Sequence, residues 1–217
     1  MKLFLTSSTI TPNLVPDFEE FIGRSSDGLK AAFIPDAGYK IQGDDKSWID
    51  EEMQYLITNL NWNVTKVELT SENSSSLEKL YDFDVIFVNG GYSGHLAEVM
   101  RKSGFADLLP KLLDHGIVYV GSSAGSCVLS EIQEVASIYF GEPEPEAIEI
   151  GGLGLIDFEL YPIHDHRWTE DLVDKIKARR SPSLKYYLVR DGQAISIHDG
   201  KLKLHGDIIH LPIETKS

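Results

Sequence analysis

The chain has 217 residues, 42% of them hydrophobic and 25% charged, with a formal net charge of −14. That length and apolar content suit one globular domain over 1–217, and the acidity argues against nucleic-acid or anionic-membrane partners, since both need a basic face. A lone cysteine, Cys127, rules out an intrachain disulfide.

Apolar runs alternate with helix-period segments along the chain. "KLFLT" (2–6) reads as a strand, because it is too short for a signal-peptide core. "VPDFEEFIG" (15–23) has Pro16 in its first turn and Gly23 at its end, which predicts a helix. "KAAFIPDAG" (30–38) is a strand entering a loop, and 45–62 is an amphipathic helix with Trp48, Met53, Leu56 and Leu60 near one face. A strand follows at 63–69, a short helix at 76–83 and a buried strand at 84–91 that ends in Gly90-Gly91. Two helices (94–104, 105–116) precede a strand at 117–120. Beyond residue 133 the Glu/Pro/Gly-rich stretch 136–154 reads as a long surface loop. A strand in 155–166, a helix at 169–180 capped by Thr169, and short strands at 185–189, 193–197 and 201–205 complete the chain. Alternating β and α elements predict a parallel sheet with helices on both faces and ligands beyond the carboxyl ends of its strands. No run approaches the roughly 18 apolar residues of a membrane span. The expectation is a soluble, cytoplasmic protein.

Gly121-Ser122-Ser123-Ala124-Gly125, between a strand and a helix, has the G-x-S-x-G form of a nucleophile elbow. Small flanking residues let such a turn close and lift the central serine toward backbone N–H groups that favour negative charge. The competing reading is a Ser/Gly-rich βα loop with capping serines, or a phosphate cradle. Cys127 is a rival nucleophile, but its place inside the predicted helix suits a small core residue.

A serine nucleophile needs a base, and the base an orienting acid. Of the seven histidines, His115 ends a helix, while His198, His205 and His210 carry no local signal. "YPIHDHRW" (161–168) sets His164 and His166 around Asp165 at a strand end. One H-x-H pair without further ligands is a weak metal signal, so neither metal nor cofactor is expected.

"KLFLTSS", "VIFVNGG", "GIVYVGSSAG", "GGLGLIDFELYP" and "VRDGQAI" occur in this order across nearly the whole chain. Together they resemble the dipeptidase E / cyanophycinase family of serine peptidases. The resemblance implies a three-layer α/β/α sandwich with a mostly parallel central sheet, class I glutamine amidotransferase-like (flavodoxin-like). It further implies Ser123 as nucleophile, the N–H groups of Gly91 and Ala124 as oxyanion hole, a base soon after the "GLGL" strand, and Asp191 of the Asp191-Gly192 turn as acid.

Two departures stand out. The family usually has Pro-His where this chain has Pro162-Ile163-His164, so an ungapped match puts Ile163 at the base position. A β-bulge would bring His164 back, or His166 would reach in, and Asp165 competes as acid. The Gly-Gly turn leads into Tyr92-Ser93-Gly94-His95 rather than Asn-Thr-aromatic, which brings His95 forward as a substrate contact.

The resemblance implies a serine exopeptidase acting on short peptides, N-terminal aspartate being the family's best-known preference. An aspartyl substrate asks for a cation, and among Arg101, Arg167, Arg179, Arg180 and Arg190 the favoured one is Arg167, beside the histidines. His164 is the expected base, with His166 as its rival, and His95, His166 and Arg167 are the expected substrate contacts. The alternatives are a ligand-binding descendant with a displaced base, or another acyl hydrolase with the same machinery. The expected partner is a small peptide, and the chain is expected to be a monomer or homodimer.

Overall fold

A computed structural model describes residues 1–41, 45–69, 77–140 and 143–214. Residue 76 of the predicted short helix and residues 141–142 of the predicted loop lie outside them. The strands are β1 (Lys2–Thr6), β2 (Lys30–Ile34), β3 (Asn63–Lys66), β4 (Val85–Val88), β5 (Val118–Ser122), β6 (Glu159–Ile163), β7 (Tyr186–Arg190), β8 (Ala194–His198), β9 (Lys201–His205) and β10 (Ile209–Leu211). The α-helices are α1 (Val15–Ile22), α2 (Ser47–Thr58), α3 (Ser93–Lys102), α4 (Phe105–Asp114), α5 (Ala124–Cys127), α6 (Glu134–Ile138), α7 (Ala147–Ile150) and α8 (Glu170–Arg179).

Seven strands form one sheet in the order β3-β2-β4-β5-β1-β8-β9. The first five are parallel, and β8 and β9 extend the sheet antiparallel beside β1. Successive side chains on a strand point to opposite faces. Leu3, Leu5, Ala32, Ile34, Ile86, Val88 and Tyr119 accordingly pack on one face with Leu96, Met100, Leu109 and Leu112 of α3 and α4. Phe4, Ala31, Phe33, Val85, Phe87, Val118 and Val120 pack on the other with Phe18 of α1 and Ile49 and Leu56 of α2. Burial on both faces explains the continuous apolar runs of the inner strands. The result is a three-layer α/β/α sandwich.

Helix-bearing connections after β1 and β2 cover the second face and those after β4 the first, so a crevice opens at the carboxyl ends where the winding reverses. A second, three-stranded sheet, β10-β7-β6, lies beside α8. The Thr169 side chain accepts from Leu172 N at 3.0 Å, capping α8 as predicted. The predicted loop 136–154 is corrected: it carries α7 and the end of α6, and Glu144 within it is buried. Among the described residues no helix is long and apolar enough to cross a membrane.

Candidate active site

The turn after β5 is built from small residues because nothing larger fits. A Cβ on Gly121 would stand 2.6 Å from Gly125 O, and one on Gly125 only 2.1 Å from Val88 O. Between them Ser123 adopts φ 49° and ψ −111°, a conformation that L-residues rarely hold. Such strain costs about 1–3 kcal/mol and persists only where the surroundings impose it. Here Ser123 N donates to Thr6 O at 3.1 Å, while Ser123 O accepts from Ser126 N and Cys127 N at 2.8 and 3.0 Å. Ser126 Oγ accepts from Thr6 N at 3.1 Å, tying the elbow to β1. The helix predicted to follow is α5, which has only four residues.

Across from the elbow, Gly91 takes φ 139°, and a Cβ there would fall 2.1 Å from Ala37 O. Tyr92 N donates to that same carbonyl at 2.9 Å, which clamps the Gly90-Gly91 turn to the Asp36–Gly38 turn that follows β2. Gly90 approaches so closely that an added Cβ would meet Ser123 Cβ at 3.2 Å. Ala124 N–H, first of its helix, has no intrahelical acceptor. Gly90, Gly91, Ser123 and Ala124 line one cleft of about 560 Å³.

The register of the small sheet brings the base and acid candidates together. β6 and β7 pair in parallel from Glu159↔Tyr186 to Ile163↔Arg190 without a bulge. One step further sets His164 beside Asp191, with His164 Nδ1 3.3 Å from Asp191 Oδ1. Ile163 points the other way, into the core with Val173, Ile176 and Leu188, while Pro162 and His164 line the cleft. The Pro-Ile-His spelling therefore leaves a histidine at the cleft, with no bulge. Asp191 also accepts from Ser7 Oγ at 2.7 Å and from Asp165 N at 3.0 Å. Burial pushes its carboxyl up, yet the bonds from His164, Asp165 N–H and Ser7 outweigh burial and hold it well below the usual carboxylate range. Among the described residues no hydrogen bond joins Ser123 Oγ to His164.

The other candidates separate. Asp165 is held by Arg190, whose Nε and Nη2 lie 3.1 and 2.9 Å from its Oδ1, and so does not face His164 as a rival acid. His166 is exposed and stacks on His164 with ring centroids 5.8 Å apart, outside the cleft lining. His95 sits in the first turn of α3, also outside that lining, its N–H bonded to Glu144 Oε1 at 2.8 Å. Arg167 does line the cleft, beside the Tyr139 hydroxyl. Cys127 is buried with Sγ 3.2 Å from Leu160 O, and burial pushes its thiol far above the ordinary value.

One cleft residue escaped the sequence reading. Glu52 of α2 accepts from Ser122 Oγ at 2.8 Å, next door to the elbow serine. Burial pushes its carboxyl up to about 7, against the pull of the Ser122 hydroxyl and of His164. Nothing in "DEEMQ" separates it from the solvent-facing acids around it; only its spacing from Trp48 and Tyr55 carried a signal.

Residues 3–205 match peptidase family S51. The chain is 26% identical over 206 residues to an uncharacterized peptidase of Listeria innocua, covering 91% of this chain and 93% of that one. It is 26% identical over 183 residues to a peptidase E of Shewanella amazonensis, covering 81% and 74%. A solved candidate peptidase E from Listeria monocytogenes EGD-e has a TM-score of 0.72 at 23% identity, over 94% of this chain and 96% of that chain. A solved peptidase from an acI-B1 Actinobacterium gives 0.64 at 17%, over 97% and 90%. At these identities the structural likeness speaks for the fold.

Proposed function

The chain belongs to peptidase family S51, a family of serine peptidases, and from that premise we propose a serine exopeptidase of short peptides with Ser123 as nucleophile. The observation that carries the reading is the His164–Asp191 pair, delivered by the β6–β7 register to the cleft that holds the strained Ser123. Ser123 Oγ attacks the amide carbonyl while His164 Nε2 takes its proton, and the bond between them forms when substrate is bound. Asp191 at Nδ1 keeps the proton there and holds the ring in orientation. The N–H groups of Gly91 and Ala124 receive the developing oxyanion. His164 then gives its proton to the leaving amine, and water repeats the sequence on the acyl-enzyme.

The substrate class is short peptides, with N-terminal aspartate first among them. Arg167 supports this, because a carboxylate entering a cleft needs a cation. The test is intact-mass spectrometry after a small fluorophosphonate, run beside Ser123→Ala, followed by a dipeptide panel led by aspartyl substrates. One adduct on the native protein and none on the variant is the expected result. Undiminished peptidase activity in Ser123→Ala would refute the assignment.

A further inference from the structure

Glu52 stands in the cleft, where the pull of His164 on its carboxyl is weaker than the push of burial. Among the described residues no lysine or arginine pairs with it, and its hydrogen-bond partner is the Ser122 hydroxyl. His164 offers no pairing through Nδ1, which Asp191 already holds. A half-buried carboxylate in that position is poorly solvated and gains from an incoming positive charge.

The neighbours of Glu52 indicate which cation fits. Trp48, Glu52 and Tyr55 stand at i, i+4 and i+7 on α2, so they share one helix face, and all three line the cleft. Two aromatic side chains flanking a carboxyl make a site for a compact ammonium, which rings attract through their π-faces and the carboxylate through a charge-assisted hydrogen bond. Tyr55 is fixed by its hydroxyl, which donates to Ile10 O at 3.1 Å. Trp48 packs over Gly38, where an added Cβ would fall 2.8 Å from its ring.

We propose that Glu52, between Trp48 and Tyr55, receives the free α-ammonium of the peptide substrate. This rests on the peptidase reading of the same cleft and gives it a cause for exopeptidase action: only a chain end carries that charge. Peptides with blocked N-termini are then excluded, whatever their first side chain.

The test uses binding rather than turnover. Ser123→Ala protein is titrated calorimetrically with aspartyl-leucine and with its N-acetyl derivative. The free dipeptide should bind about 30-fold or more tightly than the acetylated one, the scale of losing one partner of a desolvated charge pair. Adding Glu52→Gln should remove that selectivity and leave the acetylated ligand within about threefold of its former affinity, and Glu52→Asp should restore part of it. Equal affinity for both ligands in the Ser123→Ala protein would overturn the proposal without any Glu52 variant, as would no binding of either. Loss of both ligands alike in Glu52→Gln would overturn it too. Fluorophosphonate labelling of Ser123 separates the two readings: a labelled serine with no ammonium selectivity sinks only the role of Glu52, and selectivity with an unlabelled serine sinks only the nucleophile.

Discussion

Replacing Ser123 in two ways isolates the strain at the elbow. Both Ser123→Ala and Ser123→Gly remove the hydroxyl, but only alanine keeps the Cβ that makes φ 49°, ψ −111° unfavourable. Those angles mirror −49°, +111°, at the edge of the extended region, so glycine takes them freely. Relief of about 1–3 kcal/mol is set against about 0.5–1 kcal/mol for glycine's greater freedom in the unfolded chain. Taking the middle of each range, the glycine variant should therefore exceed the alanine variant by about 1 kcal/mol, or roughly 2–4 °C in Tm for a chain of this size. Differential scanning calorimetry of the two, at one pH and concentration, measures the difference directly. An alanine variant more stable than the glycine variant by about 0.5–1 kcal/mol would mean that the turn holds no such strain.

Glu52→Gln should change the pH profile of stability. Its carboxyl is raised from 4.5 to about 7 by burial, so the folded state holds that proton more tightly than the unfolded chain. This contribution is complete below about 4.5 and is lost as pH rises through 7, so in urea melts the variant should match the native protein near pH 4 and exceed it by about 1–3 kcal/mol at pH 8. Asp191→Asn should lower kcat/KM by about 10²–10⁴ and slow fluorophosphonate labelling in parallel; labelling at the native rate would refute its role. Because the Asp191 carboxyl is held well below its ordinary value, the native protein's stability advantage over this variant should be full at neutral pH, begin to decline below about pH 4 and be lost only as pH passes the depressed folded-state value. Gly125→Ala sets a methyl against Val88 O at 2.1 Å and should cost about 3 kcal/mol or more, seen as a low Tm or insoluble expression.

The inner strands were legible because burial on both faces writes continuous apolar runs, and the elbow because close packing permits only glycine at 121 and 125. Asp191 came forward through the family resemblance, which puts the acid in an acidic-Gly turn, and not from any pattern of its own. The side on which His164 falls was not legible, since it depends on where β6 meets β7 across a helix of ten residues, a pairing that no local pattern encodes. The short helices within 134–150 were hidden by a Glu/Pro composition that reads as solvated chain. Glu52 was hidden for the opposite reason: an amphipathic helix shows which face is apolar, but not that its polar edge borders a cleft.

Glu144 joins regions that the sequence keeps apart. Its two oxygens accept from Gly94 N and His95 N at 2.8 Å each, and a Cβ on Gly94 would stand 2.8 Å from that carboxylate. The helix start it grips begins two residues after Gly91. The acidic stretch that walls the cleft and the glycine turn that faces Ser123 are thus fastened by one side chain across fifty positions. They are not separable modules. Exchanging the wall for that of another chain, without a carboxylate at 144 and a glycine at 94, would unseat the turn along with it. Diversification of this cleft has to alter both segments together or leave that fastening alone.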